Sequence, residues 1–151
     1  MKVLLVSANR LKAPYAVYPL GLDYVARAIA QHHQVEVVDL NTSADAETLE
    51  AVLQDTPPDI VGLAIRNIDN TDTLDPRGFT DQYRDLMDFI RARSAAPVVL
   101  GGSGFTIFPS ELMDLLGADF GIIGEGERLM DLLTALENGG DPSQVPGVIQ
   151  P

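Results

Sequence analysis

Five short apolar segments, each followed by a longer amphipathic segment, constrain the fold of this chain more than any other feature of its sequence. The apolar segments are rich in Val, Ile and Leu without polar alternation, which is typical of parallel strands covered on both faces. They span residues 2–7, 35–40, 60–65, 97–100 and 120–123. Helical spacing predicts helices over residues 20–31, 44–54, 80–93, 109–116 and 127–138. The pattern therefore predicts an α/β domain on a parallel sheet.

Repeated β–α units of this length predict a doubly wound sheet, Rossmann-like or flavodoxin-like, with helices on both faces. The commonest order for five such strands is 2-1-3-4-5, and we expect that order here. Residues 1–138 are expected to form the domain, and residues 139–151 to form a linker towards a further domain. Ligands of these sheets bind beyond the carboxyl ends of the strands, so the loops that follow the strands are where functional residues are expected.

The composition narrows the classes of function. The chain has 22 acidic and 10 basic residues, and its net charge of −12 repels nucleic acid and anionic membranes. The absence of cysteine excludes disulfides, thiol catalysis and iron–sulfur ligation by this chain. No apolar run reaches the roughly 18 residues of a membrane span, and no secretory signal begins the sequence. These features favour a cytoplasmic protein with a neutral, amide-rich ligand.

The loop after the first predicted strand, residues 7–19, exceeds the usual length of about 2–6 residues for such a connection. It contains Asn9, Tyr15 and Tyr18, and the next helix begins at Leu20 and Gly21. One interpretation is a semi-rigid flap over a flat ligand. The other is a surface loop whose tyrosines pack back on the domain.

Arg66 directly follows the third apolar segment. A guanidinium at this edge suits amide carbonyls or a carboxylate, and it cannot ligate a metal because it only donates hydrogen bonds. An ion pair with Asp69 or Asp72 is equally compatible with the sequence. The aspartates at 69, 72 and 75 lack the spacing of a calcium loop, so no metal site is expected there.

Glycine is concentrated in two further loops. Three glycines between residues 101 and 104 let the backbone approach a bulky group or adopt positive φ. A dinucleotide fingerprint is excluded, because Ile107 occupies the third glycine position and the loop follows the wrong strand. Residues 124–127 open the last helix, where Glu127 suits the helix dipole and the two glutamates oppose a phosphate.

Residue combinations typical of catalysis are absent from the sequence, which has no Ser–His–acid set, no zinc spacing and no P-loop. The two histidines, His32 and His33, are consecutive, and we expect them to be solvated at the opposite edge of the sheet. The chain by itself is therefore not expected to be catalytic.

The loops together resemble the cobalamin-binding domain at the amino terminus of many cobalamin-dependent radical S-adenosylmethionine enzymes. The resemblance spans nearly the whole chain, with its motifs in the same order on the same loops. The matching segments are residues 18–24 (YPLGLDY), 59–70 (DIVGLAIRNIDN), 99–104 (VLGGSG) and 118–127 (ADFGIIGEGE). The run from Arg66 to Asn70 also resembles the branch that contains tryptophan C-methyltransferases.

The resemblance implies that the chain binds cobalamin. In the wider family a D-x-H-x-x-G motif after the first strand supplies a histidine to cobalt, and the third strand carries a serine where Ala64 stands here. This chain has no histidine in that loop, which implies base-off cobalamin without a protein histidine ligand. Arg66 would face the lower side of the corrin, and the nucleotide tail would enter at Gly101 and Gly102. The cofactor-binding residues expected on these grounds are Asn9, Tyr15, Tyr18, Leu20, Gly21, Arg66, Asn67, Ile68, Asp69, Asn70, Gly101, Gly102, Ser103, Gly104, Phe105, Thr106, Gly124, Glu125, Gly126 and Glu127.

A larger parent enzyme is also implied by the resemblance. The family carries a downstream barrel with a C-x-x-x-C-x-x-C motif, so a [4Fe-4S] cluster and S-adenosylmethionine would be bound outside this cysteine-free chain. The parent would be a methyltransferase that uses methylcobalamin on an unactivated carbon. The implied partners of this chain are cobalamin and the radical S-adenosylmethionine domain.

Three other classes share the predicted fold. A phosphoacceptor receiver domain needs an aspartate that ends the third strand and a lysine that ends the fifth, where Arg66 and Gly124 stand. A flavodoxin-like flavin-binding domain needs Ser, Thr and Gly in the first loop, where Pro14, Tyr15 and Tyr18 stand. A cofactor-free protein-interaction domain remains compatible with the sequence.

Overall fold

A computed structural model of the chain describes residues 1–12, 14–42, 45–69 and 78–151. Among these residues the strands are β1 Lys2–Ser7, β2 Gln34–Asp39, β3 Ile60–Ala64, β4 Val98–Gly101, β5 Phe120–Ile122 and β6 Val148–Ile149. They form one sheet in the order β2-β1-β3-β4-β5-β6. The neighbours from β2 to β5 are parallel, which confirms the predicted order 2-1-3-4-5 for the first five strands.

The prediction of a five-stranded sheet was wrong at one edge. β6 pairs antiparallel with β5, with Ile149 opposite Gly121 and Val148 opposite Ile122. It follows a short 3₁₀ helix, Pro142–Gln144, in the segment predicted to be a linker. Two strand residues are too few to give a periodic signal in the sequence. The assignment of residues 139–151 as a connection to a further domain stays a prediction.

The described helices are α1 Leu20–Ile29, α2 Asp45–Asp55, α3 Thr80–Arg91, α4 Ser103–Ile107, α5 Pro109–Leu116 and α6 Arg128–Glu137. All but α4 agree with the predicted helices to within two residues at each end. The glycine-rich segment after β4 was predicted to be a loop, and the structure shows that it forms the short helix α4 instead. No helix in the described ranges is long and apolar enough to cross a membrane.

Two apolar layers enclose the sheet. Successive side chains of each strand enter opposite layers, as the period of a strand requires. Leu4 and Leu63 belong to the layer that packs against α2, α3 and α5. Leu5 and Val99 belong to the layer that packs against α1 and α6. The helices therefore cover both faces, as predicted.

His33 is buried, and the expectation that both histidines are solvated was wrong for this residue. Its Nδ1 lies 3.3 Å from the amino group of Met1 and 3.5 Å from Oε1 of Glu137. A hydrogen bond from the Met1 ammonium holds the pKa of the Glu137 carboxyl below its ordinary value. This cluster ties β1 to the turn before β2 and to α6, at the amino ends of the strands.

Candidate functional site

A cavity of about 660 Å³ opens at the carboxyl ends of the central strands, on the face covered by α1 and α6. Strand order reverses between β1 and β3, because β2 lies on one side of β1 and the rest of the sheet on the other. Open α/β sheets bind their ligands at this switch point. The volume lies within the range of about 300–1,000 Å³ that is typical of small-molecule sites. The cavity thus lies at the edge where the sequence predicts a ligand.

Small side chains on three adjacent strands create the cavity. Ser7 of β1 pairs with Ala64 of β3, and Ala64 pairs with Gly101 of β4. These three residues, called the small-residue row below, all line the cavity. A Cβ atom at Gly101 would meet no atom within 4 Å, so a side chain there would enter the open space. Because these three side chains are small, they leave space on this face of the sheet. Nearer the amino ends of the strands, larger side chains such as those of Leu5 and Val99 fill the same layer.

Gly102 and Gly104 serve a different purpose from Gly101. Gly102 has a φ of +100°, and a Cβ there would lie 2.5 Å from the carbonyl oxygen of Ile65. A Cβ at Gly104 would lie 2.8 Å from the carbonyl oxygen of Arg66. The hydroxyl of Ser103 also donates a 3.1 Å hydrogen bond to Arg66 O. These two glycines therefore allow α4 to pack directly on the backbone of the loop after β3.

Arg66 lies at the rim of the cavity with an exposed side chain. Within the described residues no ion pair of its guanidinium is found. Asp72, a partner considered from the sequence, lies outside the described residues. The side chain therefore brings positive charge to the cavity rim with no described carboxylate to neutralise it.

Tyr83 of α3 anchors the start of the loop after β3. Its hydroxyl donates a hydrogen bond to the carbonyl oxygen of Asn67, and burial raises the pKa of Tyr83 to about 12. The amide of Phe79 donates to the carbonyl of Ile68 at 2.9 Å. Asn67 and Ile68 are held by these contacts beside the cavity and do not line it.

The substitution Tyr83→Phe is expected to lower the free energy of unfolding by about 1 kcal/mol, because the Asn67 carbonyl loses its donor. The protonated phenol stabilises the native protein fully below the ordinary pKa of 10.0, and this contribution is lost as the pH rises to about 12. Urea unfolding of both proteins at about pH 8 and about pH 11 should show a smaller difference at the higher pH. A difference that grows with pH would contradict the assignment.

Thr106 joins the two glycine-rich loops. Its hydroxyl accepts a hydrogen bond from the amide of Gly124 at 3.1 Å and donates one to Gly102 O at 3.1 Å. The side chain of Phe105 is fully buried in the core below. Both residues position the loops rather than line the cavity.

The cavity brings together part of the predicted set. The predicted residues that line it are Asn9, Tyr18, Leu20, Gly21, Arg66, Gly101, Gly102, Ser103, Gly124, Gly126 and Glu127. Those that lie elsewhere are Tyr15, Asn67, Ile68, Asp69, Gly104, Phe105, Thr106 and Glu125. Asn70 lies outside the described residues. The binding roles of all these residues stay predictions.

Residues that the sequence reasoning missed form the walls of the cavity. They include Leu5, Ser7, Val17, Leu22, Tyr24, Val25, Gly62, Ala64, Val99, Ile122 and Leu129. Alternation along each predicted strand assigns Leu5 and Ser7 to one face, and Gly62 and Ala64 likewise. That signal could have identified the side of the sheet on which small residues meet.

The rim on the α1 side is apolar and exposed. Tyr18 is 63% exposed, Leu20 58% and Tyr24 63%, and Tyr15 nearby in sequence is 71% exposed. The tyrosines of the first loop therefore do not pack back on the domain, which leaves the flap as the favoured interpretation. Among the described residues no group of three or more His, Asp or Glu side chains is placed to hold a metal ion.

The fold is a Rossmann-like α/β domain with a cavity at the switch point, where such sheets bind their ligands. The model of the B12 binding domain family matches residues 6–134 of the chain. The chain belongs to this family. The match does not favour a flavin-binding or a cofactor-free domain.

Relatives of known activity are similar over nearly the whole chain. Tryptophan 2-C-methyltransferase of Streptomyces laurentii is 35% identical over 153 residues, which cover 97% of this chain and 25% of that protein. The radical S-adenosylmethionine methyltransferase TsrM from Kitasatospora setae, solved with tryptophan substrate and a SAM analog, is 34% identical with a TM-score of 0.90. The match covers 99% of this chain and 28% of that one.

Two further structures extend the comparison. TsrM solved with cobalamin and a [4Fe-4S] cluster is 34% identical, with a TM-score of 0.86 over 99% of this chain and 27% of that one. The cobalamin-dependent S-adenosylmethionine radical enzyme OxsB, solved with aqua-cobalamin, is 18% identical with a TM-score of 0.77, over 97% of this chain and 20% of that one. OxsB therefore supports the fold alone. The chain spans about a quarter of the length of the relatives it matches.

Proposed function

We propose that this chain is the cofactor domain of a radical S-adenosylmethionine methyltransferase, and that it holds cobalamin base-off without a histidine ligand. The observation that carries the proposal is the cavity above the small-residue row. Cobalamin that is base-off has a detached nucleotide tail, a bulky group that needs a deep and mostly apolar slot. A Cβ and longer side chain at Gly101 would occupy this slot, so the residues present fit the cofactor.

The positions of the histidines support the absence of a histidine ligand. His32 and His33 are the only histidines in the sequence, and both lie in the turn between α1 and β2. That turn is at the amino ends of the parallel strands, whereas the cavity is at their carboxyl ends. Neither imidazole is therefore placed to reach a ligand in the cavity.

Arg66 fits a role at the lower face of the corrin. Its guanidinium stands at the cavity rim without a described carboxylate partner. A guanidinium has no lone pair to offer a metal and stays charged at physiological pH. Arg66 would therefore occupy space near the lower axial position and give cobalt no ligand.

Cobalamin supplies a cobalt centre that carries a methyl group. The residues of this chain bind and orient the cofactor and exclude water from its nucleotide tail. The small-residue row and the walls from α1 and α6 hold the tail, and the loops after β3, β4 and β5 surround the opening. The [4Fe-4S] cluster, S-adenosylmethionine and an unactivated substrate carbon would be bound by the parent enzyme outside this chain, which has no cysteine.

Titration of the folded chain with hydroxocobalamin and methylcobalamin, followed by desalting and an absorption spectrum, tests the proposal. Retained cofactor with a base-off spectrum is the expected result. A retained cofactor with the spectrum of base-on or histidine-ligated cobalamin would contradict the base-off assignment. Failure of the folded chain to retain cobalamin, together with retention of flavin or of nothing, would contradict the proposed function.

The variants Arg66→Ala and Arg66→His are expected to change the cobalt spectrum of the loaded protein. Arg66→Ala opens the lower face to water, and Arg66→His places an imidazole there that is able to ligate cobalt. The change should be larger for the histidine variant and should reverse at acidic pH, when the imidazole is protonated. Arg84→Ala, at an exposed position on α3, is the matched control. Unchanged spectra in both Arg66 variants would remove this residue from the lower face.

A further inference from the structure

Asn41, in the turn after β2, is a buried polar residue outside the cavity. It is 5% exposed, and its Nδ2 donates a 3.2 Å hydrogen bond to the carbonyl oxygen of Leu11 in the loop after β1. Its Oδ1 is buried and has no hydrogen-bond partner within the described residues. A buried acceptor without a donor is unfavourable, so native proteins rarely keep one without a reason. The bond to Leu11 is the contact that this carboxamide makes with its side chain.

The backbone holds Asn41 in place beside the end of β1. Its amide donates to Asp39 Oδ1 at 3.1 Å. The amide and the hydroxyl of Thr42 both donate to the carbonyl oxygen of Asp39, at 3.1 Å and 2.9 Å, and close the turn. The amide of Leu40 donates to Ser7 O at 3.1 Å, which continues the pairing of β2 with β1. The carboxamide is therefore a fixed group to which the loop after β1 is tied.

Leu11 is held to the domain through its amide, its carbonyl and its side chain. The amide donates to Asn9 Oδ1 at 3.2 Å, and the carbonyl accepts from Asn41. The side chain packs in the layer that lies against α2, α3 and α5. The cavity is on the other face of the sheet, where Val17 and Tyr18 line it. The loop therefore passes over the carboxyl end of β1 between its tie at Leu11 and the cavity.

The part of the loop that reaches the cavity has few ties of its own. Within the described residues, 12 and 14–17 form no hydrogen bond with the rest of the chain. Pro14 and Tyr15 are exposed, and the next hydrogen bond along the chain joins the amide of Leu20 to the carbonyl of Tyr18 where α1 begins. A segment with few hydrogen bonds and little burial opens locally at low free energy. The tie at Leu11 therefore limits how often residues 14–18 move away from the cavity.

We infer that Asn41 anchors the loop after β1 and thereby slows the dissociation of the bound corrinoid. This inference rests on the proposed function, which places the corrinoid in the cavity beside Val17 and Tyr18. Release of the cofactor requires this side of the opening to move, and a loop that is already ordered in its bound conformation makes binding less costly. Asn41 does not line the cavity, so it is a positioning residue that acts through Leu11.

The unpaired acceptor separates this role from a role in stability. Asn41→Leu keeps a similar size, loses the donor to Leu11 and removes the unpaired Oδ1. The lost hydrogen bond lowers stability and the removed acceptor raises it, so the midpoint of thermal unfolding should change by less than about 3 °C. Release of the cofactor should nevertheless become faster. A residue that served stability alone would not show this combination.

The first measurement uses the chain without cofactor. Trypsin cleaves after Arg10 and Lys12, which flank Leu11, and cleavage of a native protein follows its local opening. Asn41→Leu should raise the rate at these two bonds about fivefold, the size of one net hydrogen bond. Thr42→Ala is the matched control, because it removes a hydrogen bond of the same turn and keeps the contact with Leu11. If the leucine variant does not fold, Asn41→Ala supplies the same comparison.

The second measurement follows the release of radiolabelled hydroxocobalamin from the loaded chain after excess unlabelled hydroxocobalamin is added. Asn41→Leu should release the label about fivefold faster than the wild type, and Thr42→Ala at the wild-type rate. A third variant has Gly-Ser-Gly-Ser in place of residues 14–17 and should also release the label faster. Adding Asn41→Leu to this variant should change its rate by less than about twofold, because the segment that Asn41 controls is already lost.

The outcomes separate this inference from the proposed function. Equal trypsin cleavage of the wild type and Asn41→Leu would show that the carboxamide does not hold the loop. Faster cleavage with unchanged release would show that the loop does not retain the corrinoid. Either result, or a full fivefold effect of Asn41→Leu in the Gly-Ser variant, would overturn the inference and leave the proposed function intact. A folded wild type that retains no hydroxocobalamin would overturn both.

Discussion

Gly101→Leu is expected to abolish retention of cobalamin while the domain stays folded and stable. Gly101 is the β4 member of the small-residue row, and an added Cβ meets no protein atom within 4 Å. Its backbone is an ordinary strand with negative φ, so the leucine is not strained there. The new side chain therefore fills the cavity without disturbing the core, and it competes directly with the nucleotide tail.

The expected loss of affinity is about 100-fold. Forcing a large group into occupied space is unfavourable by about 1–3 kcal/mol, and the upper end of this range is expected because the leucine and the nucleotide tail would occupy the same space. Equilibrium binding of hydroxocobalamin measures the loss, and thermal unfolding checks the fold. Arg84→Leu is the control, because the position is exposed on α3 and lies outside the cavity.

Binding of cobinamide shows whether Gly101→Leu weakens cobalamin binding through the nucleotide tail. This corrinoid lacks the nucleotide, so its weaker binding should change little between the wild type and Gly101→Leu. Retention of cobalamin by a folded Gly101→Leu variant at wild-type affinity would show that the tail does not enter above the small-residue row. The base-off proposal would then lose the observation on which it depends.

The sequence predicted the first five strands of the sheet and the edge at which the cavity lies, because both follow from local patterns. Continuous apolar segments alternate with helical periodicity, and this alternation predicts parallel strands and their commonest order. The loops after the strands were therefore expected to contain functional residues, and residues of these loops line the cavity. The glycine-rich segment 101–104 lies beside the cavity, although the helix α4 that begins within it at Ser103 was not predicted.

The cavity itself could not be predicted in the same way, because it depends on the register between distant strands. Ser7, Ala64 and Gly101 come from three separate parts of the chain, and each is an ordinary small residue in its own segment. Only the pairing of β1 with β3 and of β3 with β4 aligns them. The short antiparallel strand β6 was missed for a related reason, since its two residues form a strand only through their pairing with β5.

The burial of His33, at the amino ends of the strands, also depends on contacts between distant parts of the chain that the sequence pattern does not reveal. The pair His32 and His33 looks like a polar turn in the sequence, and His32 is indeed exposed. His33 is enclosed by Met1 and Glu137, which are more than 100 residues apart in the chain. The polar character of a short segment predicts that its side chains are exposed on average. Contacts with residues far away in the chain can nevertheless bury a single polar side chain, as they do for His33.

Gly102→Ala is expected to destabilise the domain severely, although it lies next to the tolerant position 101. Its φ of +100° is strained for any residue with a Cβ, and that Cβ would lie 2.5 Å from the carbonyl oxygen of Ile65. The obstructing atom belongs to backbone that is itself hydrogen-bonded, because Ile65 O accepts from the amide of Gly104 at 2.9 Å. Relief of the contact therefore requires separation of α4 from the loop after β3.

The free energy of unfolding should fall by about 3 kcal/mol or more, with a melting temperature lower by about 6–12 °C. Two controls divide this loss into its causes. Gly101→Ala has neither strain nor contact and should leave stability unchanged or raise it slightly. Gly117→Ala has positive φ of +60° with open space around it, and should lose only about 1–2 kcal/mol from backbone strain. A loss in Gly102→Ala no larger than that of Gly117→Ala would show that the contact with Ile65 is relieved easily.

The binding of cobalamin by Gly102→Ala connects the packing of α4 to the cofactor site. Arg66 follows Ile65 directly, and its carbonyl accepts the hydrogen bond from Ser103, so displacement of α4 also displaces the cavity rim. A destabilised variant that is still folded at low temperature should therefore bind hydroxocobalamin more weakly and show an altered cobalt spectrum. Gly117→Ala should bind normally at the same temperature, because α5 ends on the other face of the sheet. Normal binding and spectrum in folded Gly102→Ala would mean that Arg66 does not depend on α4 for its position.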